Sequence, residues 1–115
     1  MENNLVLYGA SGHCKVIIDV ILSDNKFTIS HIVDDNKNID SLSNYKVNFS
    51  NEFEFDVKNK YFIAIGNNQV RKKIAKKLNL KFEILKHKKA YISKNSVTLG
   101  EGTVIMVNAI INPFV

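Results

Sequence analysis

Four short apolar runs stand out in the first 85 residues, and each has the length and composition of a buried β-strand. They are LVLY (5–8), FTISHIV (27–33), YFIAIG (61–66) and KFEIL (81–85). A continuous apolar run that ends at a glycine, as YFIAIG does, is typical of a parallel strand covered on both faces. We therefore predict four strands, the second of which stops at Asp34 and Asp35.

Two stretches between these runs have the spacing of amphipathic helices. The first places apolar residues at i, i+3, i+4 and i+7, namely Cys14, Ile17, Ile18 and Ile21. The second, NNQVRKKIAKKLNL, has a lysine-rich face that we interpret as solvated and an apolar face of Val70, Ile74 and Leu78. Residues 36–59 are rich in Asn, Ser and Asp and predict a loop with room for a short helix or strand. Strands that alternate with helices predict an α/β fold with a parallel sheet.

The pattern changes near residue 90, where a period of six replaces the helical one. One series of the repeat is aliphatic (Leu99, Ile105, Ile111) and the other is smaller (Val97, Thr103, Ala109, Val115). Ser93 occupies the first aliphatic place and breaks the type. Such a repeat is typical of a parallel β-helix, and a pair of Val/Ile-rich edge strands is the alternative. We predict two domains, residues 1–89 and the start of a β-helix in residues 90–115.

Composition narrows the class of protein. The apolar fraction of 45% suits a globular domain, and no apolar run has the length of a membrane span. The net charge is +5, but fifteen of the sixteen basic residues are lysines without interleaved aromatic residues, so we expect no nucleic-acid partner. The N-terminus does not resemble a signal peptide, and a single cysteine cannot form an internal disulfide. We therefore expect a cytoplasmic protein.

The segment GASGHCK (9–15) follows the first strand and opens the first helix. A glycine turn at a helix N-terminus can hold a phosphate, with Ser11, Gly12, His13 and Lys15 near the anion. The dinucleotide fingerprint would place glycines at 9, 11 and 14, but two of these positions are Ser11 and Cys14. The turn therefore favours a shorter phosphate ligand over NAD, and a plain strand-to-helix turn is the alternative.

Two further turns carry polar residues. Asp34 and Asp35 end the second strand, where doubly wound folds place an acid for ribose or base recognition, although a solvated turn is the alternative. Arg71, the only arginine, follows IGNN in the third turn and could use its planar fork on a phosphate or carboxylate. Asn67 or Asn68 could cap the helix or contact a ligand.

The remaining reactive side chains suggest structural roles. We interpret Cys14 as a core residue and His31 as structural, whereas His87 could be structural or near a site. No paired carboxylates, metal-ligand cluster or serine triad stands out.

GASGH, VDD, FIAIGNNQVRKKI and GTVIMVNAIIN, in this order, resemble the NeuD/PglD-type sugar acetyltransferases. The resemblance implies a small Rossmann-like domain that binds the nucleotide of a UDP-linked amino sugar. It also implies a left-handed β-helix that forms homotrimers and binds acetyl-CoA, with no metal. The implied substrate contacts are Ser11, Gly12, His13, Asp34, Asp35, Gly66 and Arg71.

The resemblance also implies a catalytic histidine in a later coil of the β-helix, beyond Val115. His13, His31 and His87 do not match its position, so we expect residues 1–115 to bind substrate and to be inactive alone. A non-catalytic nucleotide or nucleotide-sugar binding module is the alternative. A third hypothesis, an NAD-dependent reductase domain, is disfavoured by Lys15 and by the six-residue repeat.

Overall fold

A computed structural model describes residues 3–115 as nine strands, two α-helices and one 3₁₀ turn. In chain order the elements are β1 (Asn4–Tyr8), α1 (Gly12–Asp24), β2 (Thr28–Asp34), β3 (Ser41–Leu42), β4 (Tyr45–Phe49), the 3₁₀ turn (Ser50–Glu52), β5 (Lys60–Ile63), α2 (Asn68–Leu78), β6 (Leu85–Lys86), β7 (Tyr91–Ile92), β8 (Val104–Ile105) and β9 (Ile110–Ile111). The segment 36–59, predicted as a loop with a short element, thus holds two strands and the 3₁₀ turn.

The main sheet has the strand order β3-β4-β2-β1-β5. The strands β4, β2, β1 and β5 are parallel, and β3 pairs antiparallel with β4 at one edge. From β1 the chain moves outward through β2 to β4 and then returns to the other side of β1 as β5. This is the order found in the first half of a doubly wound sheet, and it confirms the predicted α/β fold with a mostly parallel sheet.

Both helices form where the apolar periodicity predicts them, and asparagine ends each one. Asn25 follows α1 with a φ of 57°, and Asn79 follows α2 with a φ of 49°. The Asn79 N–H donates to the Ala75 carbonyl oxygen at 3.1 Å, because asparagine tolerates the left-handed conformation that closes a helix. Within residues 3–115, neither helix combines the length and apolar content that crossing a membrane requires.

The sheet is covered on both faces by two apolar clusters. Leu5 and Leu7 of β1 pack in the cluster that contains the buried face of α1. Val6 and Tyr8, which alternate with them, pack in the cluster that contains Ile74 of α2. Because neighbouring strand residues point to opposite faces, the two helices lie on opposite sides of the sheet.

The prediction of a full strand over residues 81–85 is wrong. Phe82 forms a single parallel bridge with Tyr61 of β5. The Glu83 N–H donates to the Tyr61 carbonyl oxygen at 2.9 Å, but the Glu83 carbonyl accepts from the Gly102 N–H at 3.2 Å. The segment therefore leaves the sheet after one bridge and continues as β6, because its next hydrogen-bond partners belong to the tail.

The tail, residues 90–115, pairs with itself and with β6 in parallel. Leu85 pairs with Val104, and Tyr91 pairs with Ile110, a separation of nineteen positions in both pairs. The aliphatic series of the repeat points inward: two members are buried and two are half-buried, namely Ser93, Ile105, Leu99 and Ile111. Ser93 thus keeps the buried place although it breaks the residue type. The β-helix itself stays a prediction.

The tail packs against the rest of the chain. Leu85 is buried in the cluster around α1, and the half-buried Val104 and Met106 pack on that same cluster. The division at residue 90 follows the change of sequence pattern and stays a prediction.

Gly9 is the glycine at which an added side chain would meet the closest contacts. Its φ is +112°, and an added Cβ would lie 2.5 Å from Ile65 Cγ1 and 2.9 Å from the Ala64 carbonyl oxygen.

We expect Gly9→Ala to lower the free energy of unfolding by about 2–4 kcal/mol, through backbone strain and overpacking. Gly12→Ala is the control, because a Cβ there meets nothing within 4 Å, and we expect a change within about 0.5 kcal/mol. Urea unfolding measures both, and equal losses in the two variants would contradict the assignment.

Candidate functional site

The seven predicted contact residues lie at one edge of the sheet, where β2, β1 and β5 end side by side. They come from the end of β2 (Asp34, Asp35), the turn into α1 (Ser11, Gly12, His13), and the turn and first residues of α2 (Gly66, Arg71). Because α1 and α2 leave the sheet on opposite faces, a crevice opens between the turns after β1 and β5. Doubly wound sheets bind ligands at this point.

The turn after β1 is held by main-chain hydrogen bonds to the end of β2. The Gly9 N–H donates to the Val33 carbonyl oxygen at 2.7 Å, and the Ala10 N–H donates to Asp34 Oδ2 at 2.7 Å. The other oxygen of Asp34 accepts from the Asn36 N–H at 2.8 Å. Asp34 therefore has a structural function that its prediction as a ligand contact did not include: it fixes the turn.

The N-terminus of α1 is open toward the crevice. Ser11 is the N-cap residue, with extended backbone (φ −115°, ψ −165°), and its side chain makes no capping hydrogen bond. Gly12 has open space where a side chain would project. The first N–H groups of a helix carry a partial positive charge, and because the Cys14 N–H donates to the Ser11 carbonyl oxygen at 3.0 Å, the N–H groups of Gly12 and His13 are the ones left for a ligand. An anion can therefore approach this backbone closely.

The N-terminus of α2 is closed by its own side chains. Asn67 Oδ1 accepts from the Gln69 N–H at 3.0 Å and from the Val70 N–H at 3.1 Å. Of the two roles left open for this residue, the structure shows capping. Asn68 Oδ1 accepts from Arg71 Nη2 at 2.6 Å.

The guanidinium of Arg71 is also engaged within the chain. Its Nη1 donates to the Ile65 carbonyl oxygen at 3.0 Å, so the side chain holds the turn after β5. Arg71 still forms part of the crevice wall, and its contact with a ligand stays a prediction.

A cleft of about 380 Å³ lies between the two turns and the tail. Its walls include three predicted contacts, His13, Gly66 and Arg71. Gly66 faces His13 directly, since a Cβ on Gly66 would lie 3.7 Å from the imidazole Cγ. The tail contributes a third wall that sequence reasoning missed, formed by Gly102, Thr103 and Val104. The six-residue repeat identified Thr103 only as a small member of its series.

Asp35 is exposed, and two buried hydroxyl groups hold one of its oxygens. Oδ1 accepts from the Tyr8 hydroxyl and, at 2.5 Å, from Ser50 Oγ. Burial, followed by the hydrogen bond to Asp35, raises the pKa of the Tyr8 phenol to about 12, so the hydroxyl stays protonated at neutral pH and donates a hydrogen bond to Asp35. Sequence reasoning missed both donors, because Tyr8 ends an apolar run and Ser50 lies in a polar segment without a motif.

Other reactive groups lie away from the crevice or are buried. Burial raises the pKa of the Cys14 thiol to about 12, so this side chain is an inert core residue, as predicted. His31 is exposed and packs its ring edge-on against Phe53, at 5.2 Å between centroids. His87 Nε2 lies 3.8 Å from Asp19 Oδ2, where the chain leaves β6. Residues 3–115 contain no group of three His, Cys, Asp or Glu side chains arranged for a metal ion.

Known proteins share this architecture. The B. subtilis (strain 168) UDP-N-acetylbacillosamine N-acetyltransferase is 35% identical over 113 residues, which cover 90% of this chain and 51% of that protein. The acetyltransferase domain of PglB from Neisseria gonorrhoeae superimposes with a TM-score of 0.78 at 27% identity, over 94% of this chain and 55% of that one. That domain has also been solved with acetyl coenzyme A.

PerB from Caulobacter crescentus, solved in complex with CoA and GDP-perosamine, gives a TM-score of 0.76 at 27% identity, over 96% of this chain and 55% of that one. The chain thus spans about half the length of these relatives. The family description "PglD N-terminal domain" matches residues 4–78, which include β1 through α2 and the whole crevice except its tail wall. The chain belongs to the PglD N-terminal domain family.

Proposed function

We propose that this chain binds a nucleotide-activated amino sugar for an acetyl-CoA-dependent sugar N-acetyltransferase of glycan biosynthesis. The observation that carries the proposal is the open N-terminus of α1 beside the cleft of His13, Gly66 and Thr103. Three similar proteins support the reaction class, since one is named a UDP-N-acetylbacillosamine N-acetyltransferase, one an acetyltransferase domain, and one was solved with CoA and GDP-perosamine.

The diphosphate of the ligand lies at the start of α1. The unpaired N–H groups and the helix dipole favour negative charge there, and Gly12 leaves room for phosphate oxygens against the backbone. The Ser11 hydroxyl is available as a further donor, because it does not cap the helix. His13 and Arg71 add donors from the cleft walls.

The two ends of the ligand lie on opposite sides of this phosphate site. The nucleoside extends toward the end of β2, where Asp35 presents a carboxylate as acids do in doubly wound folds. The amino sugar extends the other way, into the cleft that the tail closes with Thr103. This orientation directs the sugar toward residues 90–115.

We further infer that residues 90–115 begin a left-handed β-helix, through which a longer chain would form trimers and bind acetyl-CoA. The nineteen-residue parallel pairing and the inward aliphatic series support the coil. In the reaction the sugar amine attacks the thioester carbonyl, a C–N bond forms, the C–S bond breaks, and CoA leaves as a thiol. The base that takes the amine proton is assigned to a later coil, so the residues of this chain position the sugar.

A non-catalytic nucleotide-binding module is the second candidate. It is favoured by one observation: the proposed phosphate site and the proposed nucleoside acid lie within residues 8–71, whereas residues 90–115, which supply the tail wall of the cleft, contain no histidine. Such a module would bind a nucleoside diphosphate and its amino-sugar derivative equally well. The proposed transferase domain would bind the amino-sugar derivative more tightly, because the cleft contacts the sugar.

One prediction of the proposed function concerns the phosphate site. By calorimetry, UDP or GDP binds and NAD binds at least about tenfold more weakly, because the turn lacks two of the glycines that accommodate a dinucleotide.

Gly12→Val weakens nucleoside diphosphate binding by about tenfold, because its side chain covers the N–H groups of α1. Gln69→Val is the matched control at the first turn of α2, whose N–H groups already bond Asn67, and it leaves the affinity within about twofold. Tight NAD binding without UDP or GDP binding would sink the proposal.

Another prediction of the proposed function concerns turnover. With acetyl-CoA and either a UDP-linked 4-amino sugar or GDP-perosamine, residues 1–115 alone release no CoA above the uncatalysed background. The reason is that this chain supplies positioning groups and no assigned base. A thiol-reactive dye measures the release, and sustained turnover would show that the base lies within these residues.

A further inference from the structure

We propose that Tyr8 and Ser50 are positioning residues, which hold the Asp35 carboxylate so that its second oxygen accepts a hydrogen bond from the nucleoside of the ligand. The inference rests on the proposed function, because it concerns the nucleoside end of that same site. The two adjacent acids then have different roles: Asp34 fixes the phosphate turn, and Asp35 accepts a hydrogen bond from the nucleoside of the ligand.

The hydrogen-bond partners of the two acids carry the argument. Asp34 uses both oxygens on backbone N–H groups, from Ala10 and Asn36. Asp35 uses only Oδ1, which receives the hydroxyls of Tyr8 and Ser50. Within residues 3–115, Asp35 Oδ2 has no partner, and the residue is exposed directly after the end of β2.

Burial explains why the two hydroxyls orient the acid. The exposed fractions of Tyr8 and Ser50 are 3% and 7%, so their positions are set by packing within the fold. The Tyr8 ring stacks on Phe55 with 5.8 Å between ring centroids, and Ser50 begins the 3₁₀ turn after β4. Two fixed donors on Oδ1 restrict rotation of the carboxylate about its χ angles. Asp35 therefore loses little conformational entropy when a ligand binds, because its carboxylate is already ordered in the free protein.

The chemistry of the free oxygen defines what it can bind. An ionised carboxylate only accepts hydrogen bonds, so Oδ2 pairs with an O–H or N–H donor of the ligand. A nucleoside offers such donors as ribose hydroxyls and as the imide N–H of its base. Inorganic pyrophosphate has neither a ribose nor a base, so we expect it to bind at the start of α1 without a nucleoside donor for Asp35. The two parts of the site can therefore be measured separately.

Calorimetry on the full 115-residue chain tests this inference with UDP, with GDP run in parallel, and with inorganic pyrophosphate. We expect Tyr8→Phe to weaken nucleoside diphosphate binding by about tenfold and pyrophosphate binding by less than about twofold. Ser50→Ala is a second variant that removes the other donor, with the same expected pattern. Urea unfolding confirms that each variant is folded before its affinity is compared.

Tyr61→Phe is the matched control. Tyr61 is as buried as Tyr8, and its hydroxyl also makes one hydrogen bond, to the Asp56 carbonyl oxygen at 2.6 Å. The variant therefore loses a buried tyrosine hydroxyl of similar surroundings without touching Asp35. Its affinity for UDP and GDP should stay within about twofold of the wild type.

A double-mutant cycle separates positioning from a merely structural contribution. In an Asp35→Ala background, Tyr8→Phe should cause no further loss of nucleotide affinity, because Tyr8 acts through that carboxylate. A loss that persists in this background, a loss that is equal for pyrophosphate, or a Tyr8→Phe affinity equal to that of Tyr61→Phe overturns the inference while leaving nucleotide binding intact. If the wild-type chain binds pyrophosphate but neither nucleotide, the proposed function and the inference both fall.

The 2′-deoxy form of UDP identifies the donor. If Asp35→Ala no longer changes the affinity for the deoxynucleotide, the donor is the ribose 2′-hydroxyl. If the effect of Asp35→Ala persists, the donor lies elsewhere on the nucleoside. Either result supports an acceptor role for Asp35, whereas an unchanged affinity of Asp35→Ala for every nucleotide overturns it.

Discussion

The close approach of Gly9 to the turn after β5 is the contact on which the site depends. With a φ of +112° and no Cβ, Gly9 lets the Ala64 carbonyl group and the Ile65 side chain lie where a Cβ at this position would clash with both. The turns after β1 and β5 thereby meet at the point where the sheet order reverses. The start of α1 faces the turn before α2 across one narrow crevice, and His13 lies against Gly66. Gly9, which opens the turn predicted to bind phosphate, therefore also allows the two loops to pack together.

Main-chain hydrogen bonds and polar side chains then stabilise each wall separately. Asp34 ties Ala10 to the end of β2, and Arg71 ties Ile65 to the first turn of α2. Both side chains belong to a set that the sequence suggested for ligand contact. A charged residue next to a glycine turn can thus act on the shape of the site by holding backbone atoms, before any contact with a ligand is considered.

The sequence predicted the helices and the parallel sheet, because apolar periodicity reports directly which faces are covered. It also placed Cys14 in the core, since that residue falls on the apolar stripe of α1. It could not predict the path of residues 81–85, because strand composition does not name the hydrogen-bond partner. The roles of Tyr8 and Ser50 were not predicted for a similar reason: they bond Asp35 across separations of 27 and 15 positions, which no local pattern reveals. Thr103 enters the cleft only because the tail folds back, and a repeat pattern does not reveal that placement.

The change of backbone hydrogen-bond partners at Glu83 joins the sheet to the tail. The Glu83 N–H donates to β5, and the Glu83 carbonyl oxygen accepts from the Gly102 N–H of the tail. Two residues later, the Leu85 backbone pairs with the tail while its side chain packs in the core. Separating the tail from the sheet would expose Leu85 and break these bonds together, so the two parts should unfold cooperatively. The tail wall of the cleft is consequently held at a set distance from the start of α1. A ligand that binds across the cleft would have to match this distance, so the length of the ligand would affect whether it binds.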